Sequence, residues 1–176
     1  MESSQPSHLD PANYPHTHVL PNENIHIELT YHPLDPLRHI SNVRSPDAGA
    51  NVLFLGTTRS NFEGRSVSRL AYTSYGPMAL RTFTNIAREA ADKYSLKGIS
   101  IAHRLGEVKV GEESIAIAVS AAHRRAAWSA GEEVLEHCKD RVEIWKREEF
   151  ADGPDGDGEW RANRDRDADG HVVTSK

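Results

Sequence analysis

Two apolar segments of strand length, residues 51–57 and 67–73, stand on either side of a short polar stretch that contains Gly64. Parallel neighbours need a crossover of about a dozen residues or more, usually a helix, and this connection is too tight for one. The chain therefore cannot be a uniformly parallel, doubly wound protein. It must mix its helices with antiparallel pairs, so an α+β fold with mainly antiparallel sheet is predicted. No repeat at a 20 to 50 residue period is visible.

The rest of the chain can be read element by element. Ile25, Ile27, Leu29 and Tyr31 alternate with polar residues, the period-2 pattern of a half-buried strand. A short helix is expected over 36–43, followed by a turn at Ser45, Pro46 and Asp47. Residues 58–65 read as a loop or hairpin tip. Residues 75–94 read as a long helix, with Pro77 in its first turn and a buried stripe of Met78, Leu80, Phe83, Ile86, Ala87 and Ala90. Residues 98–105 and 114–120 read as strands flanking a turn region at 106–113. A second long helix is expected over 122–140, with Ala127, Ala130, Val134, Leu135 and Cys138 facing inward. An extended segment follows over 142–150.

Seven of the nine prolines and six of the ten histidines fall in the first 50 residues. Residues 1–24 therefore read as a disordered, solvated leader, and His8, His16, His18 and His26 share no ligand spacing there. The folded domain is expected over 25–162. An Asp-Gly-rich stretch follows Phe150, in which only Trp160 promises packing, and 163–176 reads as a mobile charged tail.

Charge narrows the function. The first 50 residues carry a net −4, residues 51–150 a net +2 and the remainder −3. An acidic whole argues against general nucleic-acid binding, which depends on phosphate contacts, while the mildly basic middle leaves room for a local anion site. No apolar run approaches the ~20 residues of a membrane span. Neither a secretory nor a transit signal is visible, so a cytoplasmic location is expected. With Cys138 as the single cysteine, an intrachain disulfide and a Cys-rich zinc site are excluded, and no metal or cofactor is expected.

No common nucleotide-loop, nucleophile-elbow or zincin motif occurs. What remains is a set of cations. His123 and Arg124 fall where a strand gives way to a helix, where unsatisfied N–H groups favour anions; solvated surface residues are the alternative. Lys139 falls near the end of that helix, where the dipole alone would favour it. Val142, Ile144 and Lys146 share one face of a regular strand, so burial there would lower the lysine's pKa and prepare it as a base. A lysine snorkelling over Trp145 is the structural alternative. Arg59 projects from the loop after the buried strand.

These pieces occur together in one known family. The runs NVLFLGTTR, LAYTSYGPMAL, IAHRLGEVKVGEESIAIAVSAAHRRAAW and LEHCKDRVEIWKRE, in this order, resemble the large, catalytic subunit of molybdopterin synthase. The resemblance covers residues 25–150. It implies an α+β fold of the hammerhead type, with two long helices and a small added β subdomain. It also implies a sulfurtransferase of molybdenum-cofactor biosynthesis that installs the dithiolene of molybdopterin on cyclic pyranopterin monophosphate (precursor Z). Sulfur would come from the thiocarboxylated C-terminus of a small ubiquitin-like subunit, and two large subunits would form the centre of a heterotetramer.

By the same resemblance, Thr57, Thr58 and Arg59 form an anion-binding segment and His123 and Arg124 bind substrate. Lys139 lies nearest the thiocarboxylate carbonyl. Lys146 is the main acid-base residue, in a binding stretch that extends through Arg147 and Glu148. Whether His123 and Arg124 serve their own site or a dimer neighbour's is left open by one chain. A cysteine buried on a helix stripe cannot easily carry sulfur, which agrees with an external donor. The competing expectation is a non-catalytic adaptor that holds a ubiquitin-like tail in a cationic pocket.

Overall fold

The computed structural model describes residues 9–154, 158 and 160–163. In chain order the elements are β1 (His16–Leu20), β2 (Ile25–Thr30), α1 (Pro36–Asn42), β3 (Ala50–Thr57), β4 (Asn61–Phe62) and β5 (Arg65–Ser74). They continue with α2 (Gly76–Tyr94), β6 (Gly98–Arg104), β7 (Gly106–Lys109), β8 (Glu113–Ala121), α3 (Arg124–Arg141), β9 (Ile144–Phe150) and β10 (Arg161–Ala162). The strands form two sheets. The first has the order β1-β2-β6-β8-β3; the second has the order β10-β9-β5-β4, with β7 also paired to β5. Every ladder is antiparallel except β2–β6, whose long connection leaves room for a crossover.

In the first sheet, β6 and β8 are buried on both faces. Ile99 and Ile101 meet Phe83, Ile86 and Val134 from α2 and α3, while Ala102 and Ala116 form a smaller cluster with Leu34 on the other face. The helix α1 lies on that second face, where Nδ1 of His39 is 3.1 Å from Oγ of Ser100. Being covered twice explains why these strands read as continuous apolar runs rather than alternating ones. Asp35 caps α1 by accepting from the N–H groups of Leu37 and Arg38, and Pro36 opens the helix.

The short connection after β3 does not fold it against β5. It carries the chain from the first sheet into the second. The hairpin lies one step later, between β4 and β5, where Phe62 pairs with Arg65. Glu63 and Gly64 both have positive φ (50° and 81°), the two-residue loop whose twist matches the flanking strands.

Three expectations are corrected. The supposed leader is structured from the short 3-10 turn Pro11–Asn13 onward, which Asp10 caps by accepting from the Ala12 N–H. Residues 16–20 form β1, paired along its whole length with β2, and Tyr14 is buried with its ring stacked on His16 and edge-on to Tyr31. His18 bonds to Oγ1 of Thr84 and Glu23 makes a two-pronged ion pair with Arg88, so α2 holds this segment from the side. Its prolines sit before and after the strand, where they remove no ladder bond. Residues 1–8 and 164–176 lie outside the described residues. The region 106–113 holds β7, a strand too short to show a pattern. Met78 faces solvent, half exposed, because α2 turns its buried stripe through Ala79, Phe83, Ile86 and Ala90 instead.

Tyr14→Ala should therefore destabilise the fold by about 3 kcal/mol, the cost of emptying an aromatic site. Denaturant unfolding checks this. A change within a few tenths of a kcal/mol would return residues 14–24 to the status of a loose leader.

Candidate active site

The two sheets enclose a cleft of ≈ 550 Å³, closed on one side by the last turns of α3. Its walls follow from local rules. On β9, Ile144, Lys146 and Glu148 alternate onto the cleft face; on β5, Leu70 and Tyr72 do the same. The register sets Tyr72 opposite Lys146 and Leu70 opposite Glu148. On α3, Leu135, Cys138 and Lys139 share a face at helical spacing, which brings Lys139 to the cleft. Thr57 ends β3 at its edge and Arg59 enters from the following loop.

Four cationic or carboxylate groups thus meet in one space: Arg59, Lys139, Lys146 and Glu148. Nζ of Lys146 lies 3.4 Å from Oε1 of Glu148, and the two side chains are 21% and 7% exposed. The lysine is half-sheltered and has a carboxylate beside it, rather than standing alone on an apolar face. With Arg59 and Lys139 added, the cleft carries excess positive charge and suits an anionic substrate.

The remaining candidates lie elsewhere. Thr58 is buried and works as a staple: its N–H donates to the Glu112 carbonyl, its carbonyl accepts from Gly111, and its hydroxyl reaches the Val108 carbonyl at 3.4 Å. Arg147 points to the opposite face of β9, where it pairs with Glu149 and sits 4.9 Å over the Trp160 ring. The Trp160 contact expected from the sequence is therefore with an arginine. Arg69 completes this outer cluster by bonding the same carboxylate. Burial would raise the Glu149 carboxyl, but Arg147 and Arg69 together hold it below the usual range. His123 and Arg124 are exposed at the start of α3, outside the cleft lining.

Cys138 forms part of the wall beside Lys139 and is almost fully buried. Burial pushes its thiol far above the ordinary cysteine range, so the reactive thiolate is suppressed. Reading the sequence missed His103, Tyr72 and Ser114, all of which face the cleft. The HRLG run counted only toward the family resemblance, and Tyr72 read as an ordinary strand residue.

The fold and cleft define a class: an α+β protein with an anion-accepting pocket where two sheets part. Comparison with known proteins gives the family. The model of the MoaE protein family matches residues 29–141, and the chain belongs to that family. A protein from Coccidioides immitis named molybdopterin synthase catalytic subunit is 68% identical over 165 residues, which cover 94% of this chain and 84% of that protein. The crystal structure of molybdopterin synthase from Staphylococcus aureus superposes with a TM-score of 0.70 at 30% identity, covering 76% of this chain and 94% of that one. A complex of subunits 1 and 2 of the molybdopterin-converting factor from Helicobacter pylori matches at a TM-score of 0.61 and 21% identity, covering 72% and 86%; it bears on the fold alone.

Cys138→Ala should keep sulfur transfer while losing about 1 kcal/mol of stability through lost packing. Turnover and thermal melting of the same preparation check both parts. A folded variant with no transfer would make Cys138 a sulfur carrier.

Proposed function

We propose that this chain is the catalytic subunit of a molybdopterin synthase, working in the cytoplasm. It converts cyclic pyranopterin monophosphate to molybdopterin with sulfur from the thiocarboxylated C-terminus of a small ubiquitin-like partner. The observation that carries this reading is the meeting of Arg59, Lys139, Lys146 and Glu148 in one cleft, in a chain of the MoaE family. Both reactants are anions, a phosphate ester and a thiocarboxylate, and the cleft offers three cations against one carboxylate.

The chemistry divides among these groups. Arg59 holds an anionic end of substrate or tail through its fork of donors. Lys139, at the tip of α3, stabilises the charge that develops on the acyl carbonyl oxygen when water attacks that carbonyl to release the transferred sulfur. A carbon–sulfur bond forms as a carbon–oxygen bond of the substrate breaks. Water then cleaves the acyl–sulfur bond and leaves the partner's tail as a carboxylate. Lys146, with Glu148 beside it, gives a proton to the departing oxygen and takes one from the water that then attacks the acyl–sulfur bond. Each partner brings one sulfur, so two are consumed for each dithiolene.

His123 and Arg124 do not line the cleft of their own chain. We assign them to the site of a second copy, in a central dimer that carries a small subunit at each end. The described geometry supports this reading because both side chains are exposed and available to a neighbour.

Lys146→Arg separates the reading from a charge-only adaptor. Guanidinium keeps the charge but does not deprotonate, so single-turnover conversion with preformed thiocarboxylated partner should fall by roughly 10² to 10⁴-fold, close to Lys146→Ala. Arg59→Ala should act mainly on KM. Wild-type rates in the arginine variant would reduce Lys146 to a binding charge.

Mixing Lys146→Ala chains with Arg124→Ala chains tests the shared site. If Arg124 serves its neighbour, each mixed dimer holds one intact site, and activity returns when the two inactive proteins are combined. No recovery, with mixed dimers shown to form, would place Arg124 in its own chain's site.

A further inference from the structure

The floor of the cleft is chemically unlike its rim. His103, near the end of β6, is 1% exposed and lines the cavity. Its Nδ1 lies 2.8 Å from the Arg104 carbonyl oxygen, which can only accept, so Nδ1 carries the ring hydrogen. The Tyr72 ring meets the imidazole edge-on, with centroids 4.9 Å apart at 73°, and holds its plane. With Nδ1 protonated, Nε2 is a bare acceptor, and no described residue bonds to it. Burial lowers the imidazole to about 4, so it stays neutral at neutral pH.

Oγ of Ser114 is already engaged, since it donates to the Gly56 carbonyl at 3.2 Å. Glu148 is taken up by Lys146. Nε2 of His103 is thus a rigid acceptor with no donor among the described residues, deep in a cavity that also holds Arg59, Lys139, Lys146 and Glu148. An acceptor that faces a cavity and has no protein donor is open to a donor from the ligand. An ionised cyclic phosphate diester or a thiocarboxylate matches this atom poorly, because their oxygens and sulfur are acceptors too and would face Nε2 lone pair to lone pair.

We propose that His103 contacts the substrate through Nε2, accepting a hydrogen bond from an N–H or O–H of the uncharged heterocyclic end. The phosphate is thereby turned toward Arg59, Lys139 and Lys146. The inference rests on the pterin-phosphate reading above and adds to it an orienting residue and a polarity: neutral ring inward, anion outward. It also gives the cleft a means of refusing the anionic tail at the floor, so that the donor occupies the rim while the pterin is seated beneath.

The test uses the full chain with three ligands: cyclic pyranopterin monophosphate, inorganic phosphate as a competitor, and the small subunit. His103→Phe keeps a flat ring and removes the acceptor. His103→Gln can place an amide oxygen near the position of Nε2. The phenylalanine variant should bind the pterin roughly 10- to 100-fold more weakly, the loss of a donor's buried partner. Competition by phosphate, affinity for the small subunit and the melting temperature should stay at wild-type values, and glutamine should recover most of the pterin affinity. Wild-type pterin affinity in His103→Phe would overturn the proposal. So would equal losses for pterin and phosphate together with a lowered melting temperature, which is what a structural histidine would give. If His103→Phe does not fold, a folded His103→Gln with near-wild-type affinity supports the contact and one with a large loss overturns it. Failure of the wild-type chain to bind the pterin would instead remove the synthase reading itself, and this inference with it.

Discussion

The pairing of β9 with β5 is the interaction on which the site depends. It brings a segment from beyond α3 back to a strand laid down before α2, and so closes the second sheet across the mouth of the first. The Tyr72–Lys146 and Leu70–Glu148 pairs are set by this ladder. Loss of the ladder would leave the first sheet with its helices, but the cleft would have only one wall. Long-range antiparallel pairing of this kind costs loop entropy before it gains contacts. Here the cost is offset by Ile144, packed into the main core, and by Ser74, whose hydroxyl donates to the Glu143 carbonyl at 2.8 Å.

The charges of β9 divide cleanly by face. The outward carboxylate, Glu149, is held by Arg69 and Arg147, and Arg69 also lies 3.4 Å from Glu107 on β7. These groups tie three strands together on the surface of the second sheet. The inward pair, Lys146 and Glu148, is left facing the cavity. Four consecutive charged residues thus serve two purposes, and only the pleat separates them.

Much of this was legible in the amino-acid order. The helices α2 and α3 and the strands β2, β3, β6 and β8 carry strong periodicity or long apolar runs, and their positions follow from it. Lys146 could be singled out because a strand face makes a specific claim about where a side chain points; Lys139, which the helix dipole alone would explain, was placed at the site by the resemblance. What was hidden depended on distant partners. β1 carries little apolar content, and its order comes from β2, from the Tyr14–Tyr31 contact and from Thr84 on α2. The resemblance put Thr58 in an anion-binding segment with Thr57 and Arg59, and the structure gives it a bridge to Val110 that fastens the loop. The role of His103 in the cavity was invisible because nothing in the sequence says that Tyr72 would lie against it.

The strand that carries the lysine–glutamate pair has β5 on one side and β10 on the other, with Arg161 opposite Lys146 and Ala162 opposite Trp145. Sliding such a strand by one position exchanges its two faces. In this chain the exchange would bring Arg147 and Glu149 into the cavity, a cation followed by an anion in the same order. Charge matching alone would hardly notice the error, although a guanidinium would then stand in the place of the Lys146 amine. Fidelity must come from residues with no part in the chemistry: Ile144, which the core accepts and Trp145 would not replace, and the short β10, which holds the outer edge. The short β10 thereby acts as a register lock for the face of β9 that meets the cavity.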